Sequence, residues 1–384
     1  MNDDQLTDLE RLTLSRRRFI GAGALTGAAL FLGGGLLSRS VLADSISASV
    51  PSPLLGFGNL AASTADTITL PPGYSFRPLI SWGQPLQKGG PAFKGDGSNS
   101  AAEQLLQFGD NTDGMSFFPW PGDPDRALMA INNEYVNYRY LLAHGGLPKS
   151  AEDVRKAQNA EGVTVIEVRR GGDGWAFVQG SPYNRRVHGN LPIEVSGPAR
   201  GHELLKTEAD PLGIEVLGTF QNCSSGKTPW GTYLTCEENF SDCFGSSDAN
   251  LQFTPDQKRF SVLHASAENE WHRFDPRFDI ARNPNELNRH GWIVEIDPFD
   301  PTAKPIKRTA LGRFKHENAA LTTTGDGRVV VYMGDDERGE FIYKFITRDR
   351  LDRDDAKANR HILDQGTLLS LIHISEPTRQ AEIS

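Results

Sequence analysis

From residue 127 onward, short apolar runs alternate with polar positions and end in glycine- and aspartate-rich turns. A period of two belongs to strands, whose successive side chains face opposite ways. The pattern predicts strands over 127–132, 163–169, 175–179, 232–237, 292–297, 329–333 and 341–346. Gly171-Gly172-Asp173-Gly174 and Gly325-Asp326-Gly327 supply turns between them. Thr164-Val165-Ile166-Glu167-Val168 and Trp292-Ile293-Val294-Glu295-Ile296 read as copies of one strand. Helical periodicity is rare, with its best case at 151–158. Many short strands with loop and short helical insertions indicate an all-β fold, a sandwich or a β-propeller. The 39 glycines and 23 prolines agree with a chain rich in turns.

The first 43 residues follow another pattern. Ser15-Arg16-Arg17-Arg18-Phe19-Ile20 is a twin-arginine signature, the stretch 20–37 is apolar and rich in Gly and Ala, and Val41-Leu42-Ala43 fits a cleavage site. Glycines soften a stretch that is near the minimum spanning length, so 1–43 reads as a cleaved export signal and not as a stable membrane anchor. The expected location is periplasmic or extracellular, with the twin-arginine translocation machinery as a partner. That route carries folded proteins and often serves chains that take up a metal or cofactor first. Residues 44–66 read as a linker or extended start of a domain spanning 44–368. The run 369–384 lacks a continuing strand pattern and resembles translated adaptor sequence; it is expected to be a non-native tail on a truncated chain.

Charge removes one class of function. Lys and Arg total 40 against 49 Asp and Glu, a net charge of −9, with no basic stripe for nucleic acid. The sequence has no G-x-S-x-G elbow, P-loop, H-E-x-x-H or C-x-x-C. Three cysteines, Cys223, Cys236 and Cys243, allow one disulfide and leave one thiol over, for which metal ligation is one explanation. Cys236 shares a strand face with Leu234 and Thr232, as a core residue would.

Three predicted strands run into clusters of oxygen ligands: Asn132-Asn133-Glu134, Glu237-Glu238-Asn239 and Asp335-Asp336-Glu337. Adjacent carboxylates repel unless a cation lies between them, and hard oxygens suit Ca²⁺. Should the three ends converge, they form one polynuclear site; otherwise each is a solvated acidic loop. Lys315-His316-Glu317-Asn318 offers a further His or carboxylate, and Arg338 a guanidinium able to grip phosphate in a bidentate manner.

Four segments then match a known family: N-C-S-S-G-K-T-P-W-G-T-Y-L-T-C-E-E-N at 222–239, G-W-I-V-E-I-D-P-F-D-P at 291–301, K-R-T-A-L-G-R-F-K-H-E at 307–317 and Y-M-G-D-D-E-R-G-E at 332–340. Over about 70–368 the chain resembles the PhoX-type alkaline phosphatases. The resemblance implies a six-bladed type of β-propeller, incomplete here, with an iron–calcium (Fe³⁺, Ca²⁺) centre that hydrolyses phosphomonoesters outside the cytoplasm. It implies the iron thiolate at Cys223, with Cys236 as the fallback, and a bridging carboxylate at Glu317. Calcium oxygens are expected from Glu134, Glu238 and Asp335, and also from Glu237, Asp336 and Asn133. Glu317 and Arg338 are the expected catalytic residues, and the protein is expected to be a monomer. Two other readings remain at this stage: a non-catalytic calcium-binding propeller of the cell envelope, and a propeller dehydrogenase with an organic cofactor.

Overall fold

The computed structural model describes residues 60–262 and 264–371. The chain divides into two compact units, 1–77 and 78–384. In the first, residues 60–77 contain neither helix nor strand; the predicted leader lies outside the described residues. Everything below concerns the second unit.

Fifteen strands among the described residues form three sheets. The first contains β1 (Thr112–Trp120), β2 (Asp123–Asn133), β3 (Gly162–Gly171) and β4 (Gly174–Phe177) in that order, with β5 (Arg185–Val187) also paired to β3. The second holds β6 (Pro192–Ser196), β7 (Glu215–Leu217), β8 (Asn222–Lys227), β9 (Tyr233–Glu237), β10 (Ile293–Ile296) and β11 (Ile306–Arg308) in the order β7-β6-β11-β10-β9-β8. Its β6–β11 pair is parallel and the others are antiparallel. The third is an antiparallel meander of β12 (Ala320–Thr323), β13 (Arg328–Gly334), β14 (Ile342–Arg350) and β15 (Gly366–Leu371).

Period-two patterning explains how the sheets stack. On β2, Leu128 and Ala130 face one way and Ala127 and Ile131 the other. Leu128, Ala130, Val163 and Val165 pack with Ile193, Tyr233, Val294 and Ile296 of the second sheet. The opposite face of the second sheet presents Leu234, Cys236 and Ile293 to Val329, Val331, Met333 and Phe345 of the third. The second sheet is therefore buried on both sides, which is why β9 and β10 are buried at every position. The two copies of the repeated strand, β3 and β10, are both interior strands.

All seven strands expected from patterning are present, with ends that shift by a few residues either way, as is the helix α1 (Ala151–Ala160), capped by Ser150 accepting from the Asp153 N–H. Short helices and 3-10 turns accompany the sheets, so the architecture is mixed and the all-β expectation is corrected to that extent. The boundary expected at 369 falls inside β15, where Leu369, Ser370 and Leu371 pair with Lys344, Tyr343 and Ile342.

Candidate metal centre

Two irregular strands create the site. Between the pairs Asn222↔Glu237 and Ser225↔Thr235, β8 advances by one residue more than β9. That extra residue is a bulge at Cys223-Ser224, and a bulge re-aims the side chains it carries. β1 has a matching bulge between Thr112↔Asn133 and Met115↔Ile131, at Asp113-Gly114. The two bulges touch. A Cβ on Gly114 would lie 2.7 Å from the Ser224 carbonyl carbon, so only glycine permits this approach.

Donor atoms of Asp113, Glu134 and Cys223 lie within 4.8 Å of one another, as do those of Cys223, Glu238 and Glu317. The Cys223 thiol is common to both groups. Main-chain bonds fix the contributing segments: the Ser224 N–H donates to the Glu317 carbonyl (3.0 Å), Glu238 to Gln221 (3.0 Å), Glu317 to Gly334 (3.2 Å) and Asp336 to Lys315 (3.0 Å). Asp113 and Glu134 also line a cleft of about 420 Å³ walled by Trp82, Phe108 and Tyr135.

Crowding sets the electrostatics. Burial first, then the Asp113, Glu238 and Glu317 carboxylates, push Glu134 up to about 7. Burial also leads for Glu238; the Cys223 thiol opposes it, but Asp336 and Glu317 reinforce it, and the group reaches about 7. Burial, then Glu238 and Asp113, drive the Cys223 thiol far above its usual range. Such a set of one thiol among carboxylates fits positive charge: a bound cation would reverse each of these shifts and complete the donor set.

Each of the three strand ends supplies one acid to this region and locks a neighbour into the scaffold. At β2, Glu134 is in the cluster, whereas Asn133 Oδ1 accepts from Thr164 Oγ1 (2.6 Å) and from Arg186. At β9, Glu238 is in the cluster and Glu237 is not. Glu237 is fully buried; Lys307 Nζ donates to it at 2.7 Å, and the Gly291 and Trp292 N–H groups donate at 2.9 and 3.1 Å. Burial, the largest single influence, would raise Glu237, but the Lys307 ammonium and His290 together outweigh it and hold the carboxyl at about 2. At β13, Asp336 is exposed and reaches Glu238, while Asp335 binds Arg259 Nη2 at 2.9 Å and accepts the Lys315 N–H at 3.2 Å.

These positions separate the expected ligands into two groups. Asn133, Glu237 and Asp335 have their oxygens committed to cations, a hydroxyl or peptide N–H groups of the scaffold. Cys236, the fallback thiolate, is buried in the apolar layer between the second and third sheets. The structure brings together Cys223, Glu134, Glu238 and Glu317, with Asp336 against Glu238. Arg338 is exposed on the loop after Asp336 and has no ion-pair partner among the described residues. All three cysteines are free thiols, so the possible disulfide does not form. Asp113 was missed. Its only signal was the Asp-Gly dipeptide, which ordinarily reads as a turn.

The family described as Alkaline phosphatase PhoX matches residues 55–378. The chain belongs to that family. It is also similar to the solved structure of Pseudomonas fluorescens PhoX in complex with vanadate, a transition state analogue. The identity is 69% and the TM-score 0.82, over 83% of this chain and 55% of that one, so the chain spans about half the length of this PhoX relative. Comparison with curated proteins finds no match. Among the described residues, no helix is long and apolar enough to cross a membrane.

Proposed function

We propose that this chain carries the metal centre of an exported alkaline phosphatase, which hydrolyses phosphomonoesters to an alcohol and inorganic phosphate. The observation that carries this reading is the single thiol of Cys223 among the carboxylates of Asp113, Glu134, Glu238 and Glu317. A soft thiolate beside hard oxygens suits Fe³⁺ together with Ca²⁺. Cys223 and Glu317 would hold iron, and Asp113, Glu134, Glu238 and Asp336 would hold calcium. When bound, these ions supply positive charge for the phosphate oxygens and Lewis acidity for the attacking oxygen. The exposed Arg338 guanidinium would grip the phosphate and orient it. The vanadate in the solved relative supports phosphoryl transfer as the reaction.

The three stacked sheets support assignment to blades of a six-bladed type of propeller. Residues 1–43 would act as its twin-arginine leader, directing a monomer to the periplasm or beyond. Elemental analysis of the purified chain, beside hydrolysis of an aryl phosphate, tests the reading. Iron with calcium and phosphate release are expected. Calcium without iron and without turnover would favour a non-catalytic calcium-binding module and overturn it.

A further inference from the structure

Asn132 is the fully buried penultimate residue of β2 and lies outside both ligand groups. Its side-chain hydrogen bonds are all spent on the β8 bulge and on the neighbouring strand β9. Its Nδ2 donates to the Cys223 carbonyl and, at 2.9 Å, to the Ser224 carbonyl. Its Oδ1 accepts from Thr235 Oγ1 at 2.8 Å. Tyr233 Oη lies 2.8 Å from both Asn132 Oδ1 and the Gly114 carbonyl, and its single proton is shared between them. Thr235 Oγ1 in turn accepts from Asn222 Nδ2 at 3.0 Å. One amide therefore spans the first and second sheets. It satisfies two consecutive carbonyls that a bulge removes from ladder pairing.

We propose that Asn132 is the positioning residue of the metal centre: it ties the β8 bulge to β9, whose Tyr233 hydroxyl reaches the Gly114 carbonyl of the β1 bulge, so that Cys223 and Asp113 project into one site. It touches no ligand atom and acts through the backbone of Cys223. An amide is required for this. Only a carboxamide presents two N–H donors and an acceptor in one plane, so one side chain can hold two carbonyls and two hydroxyls. Aspartate has the same shape but turns an oxygen towards both carbonyls. Gln221, just ahead of the bulge, has a left-handed backbone (φ 54°), which is uncommon for a residue with a side chain and is held only by strong local contacts. Its N–H and Nε2 both reach Glu161 Oε2, at 3.4 and 3.2 Å. The bulge is thus gripped at both ends.

This inference rests on the proposed centre, but its test does not need the metal. The full chain, dialysed against a chelator, is alkylated with a neutral haloacetamide, and the rate is read separately at each cysteine by mass spectrometry. Cys236 and Cys243 are buried and report on the fold, while Cys223 reports on the bulge. Asn132→Asp is expected to raise the Cys223 rate about tenfold with the other two thiols unchanged. A Cys223 rate within roughly twofold of the parent overturns the proposal. Should all three thiols react faster, Thr235→Val decides, because it takes one hydroxyl from the Asn132 amide while Asn222 Nδ2 keeps its bond to Thr219 Oγ1. A rise confined to Cys223, absent in Thr235→Ser, supports the clamp; no rise, or a rise at all three, overturns it. Ferric iron alone, added to the parent and to Asn132→Asp, is expected to bind at least tenfold more weakly to the variant, by the usual effect of losing a ligand's support. If the parent takes up no iron, the functional reading fails, and the alkylation rates still decide the role of Asn132.

Discussion

At the residue scale, neighbouring side chains of the same type have opposite duties. Glu237 and Glu238 are consecutive carboxylates, yet one is held ionised by Lys307 and the other is raised to about 7 among acids. Lys307→Met would strand the Glu237 carboxylate in the interior and is expected to destabilise the fold by about 3–5 kcal/mol, whereas adding Glu237→Leu should restore much of the loss. Urea unfolding of the single and double variants checks both outcomes. Cys223→Ser should behave differently, with an unfolding midpoint near the parent's but iron content and phosphate release lost together. Iron retained in full by that variant would remove Cys223 from the ligand set. The distinction between the two glutamates was only partly legible in the sequence. Adjacent acids at a strand end announced a charged site, but which one faces it depends on Lys307, 70 positions away.

At the element scale, strands were readable and their irregularities were not. An apolar run such as Val163 to Val168 needs no partner to be recognised, because burial on both faces dictates its composition. The short strands β5, β7 and β11, of three residues each, leave too little pattern to see. A bulge leaves still less, since the extra residue exists only relative to another strand. This is why Asp113 went unnoticed while Glu134, at the end of a plain strand, did not. Gly114→Ala tests the contact between the bulges. Its Cβ would meet Ser224 backbone that cannot swing aside, so a loss of about 1–3 kcal/mol is expected. Metal uptake should fall with it, read by thermal melting and elemental analysis on the same sample.

At the scale of the whole molecule, three stacked sheets build two of the main apolar layers, and a third cluster lies among helices and 3-10 turns around Trp271 and Phe278; the sequence pattern showed the strands but not that mixed architecture. How the sheets are ordered was not visible, because β6 and β11 pair across more than a hundred residues. Stability also responds to pH. His188 is driven down to about 4, by burial first and then by the Arg186, Arg155 and Arg277 guanidiniums. A histidine kept neutral in the fold binds its proton sooner in the unfolded chain, from an ordinary value near 6.5. Its contribution is whole above that value and declines as the pH falls towards 4. The melting temperature should therefore drop between pH 7 and pH 5, and His188→Gln should flatten that drop. A slope identical in the two proteins would show that other groups govern it.

The three thiols have a further consequence. Cys236 and Cys243 are sealed in apolar layers, and Cys223 is turned to the acids, so no covalent cross-link ties one sheet to another. The packing of the sheets consequently depends on no disulfide. Were the chain exported as proposed, its sheets would need no disulfide made on the far side to reach their folded arrangement.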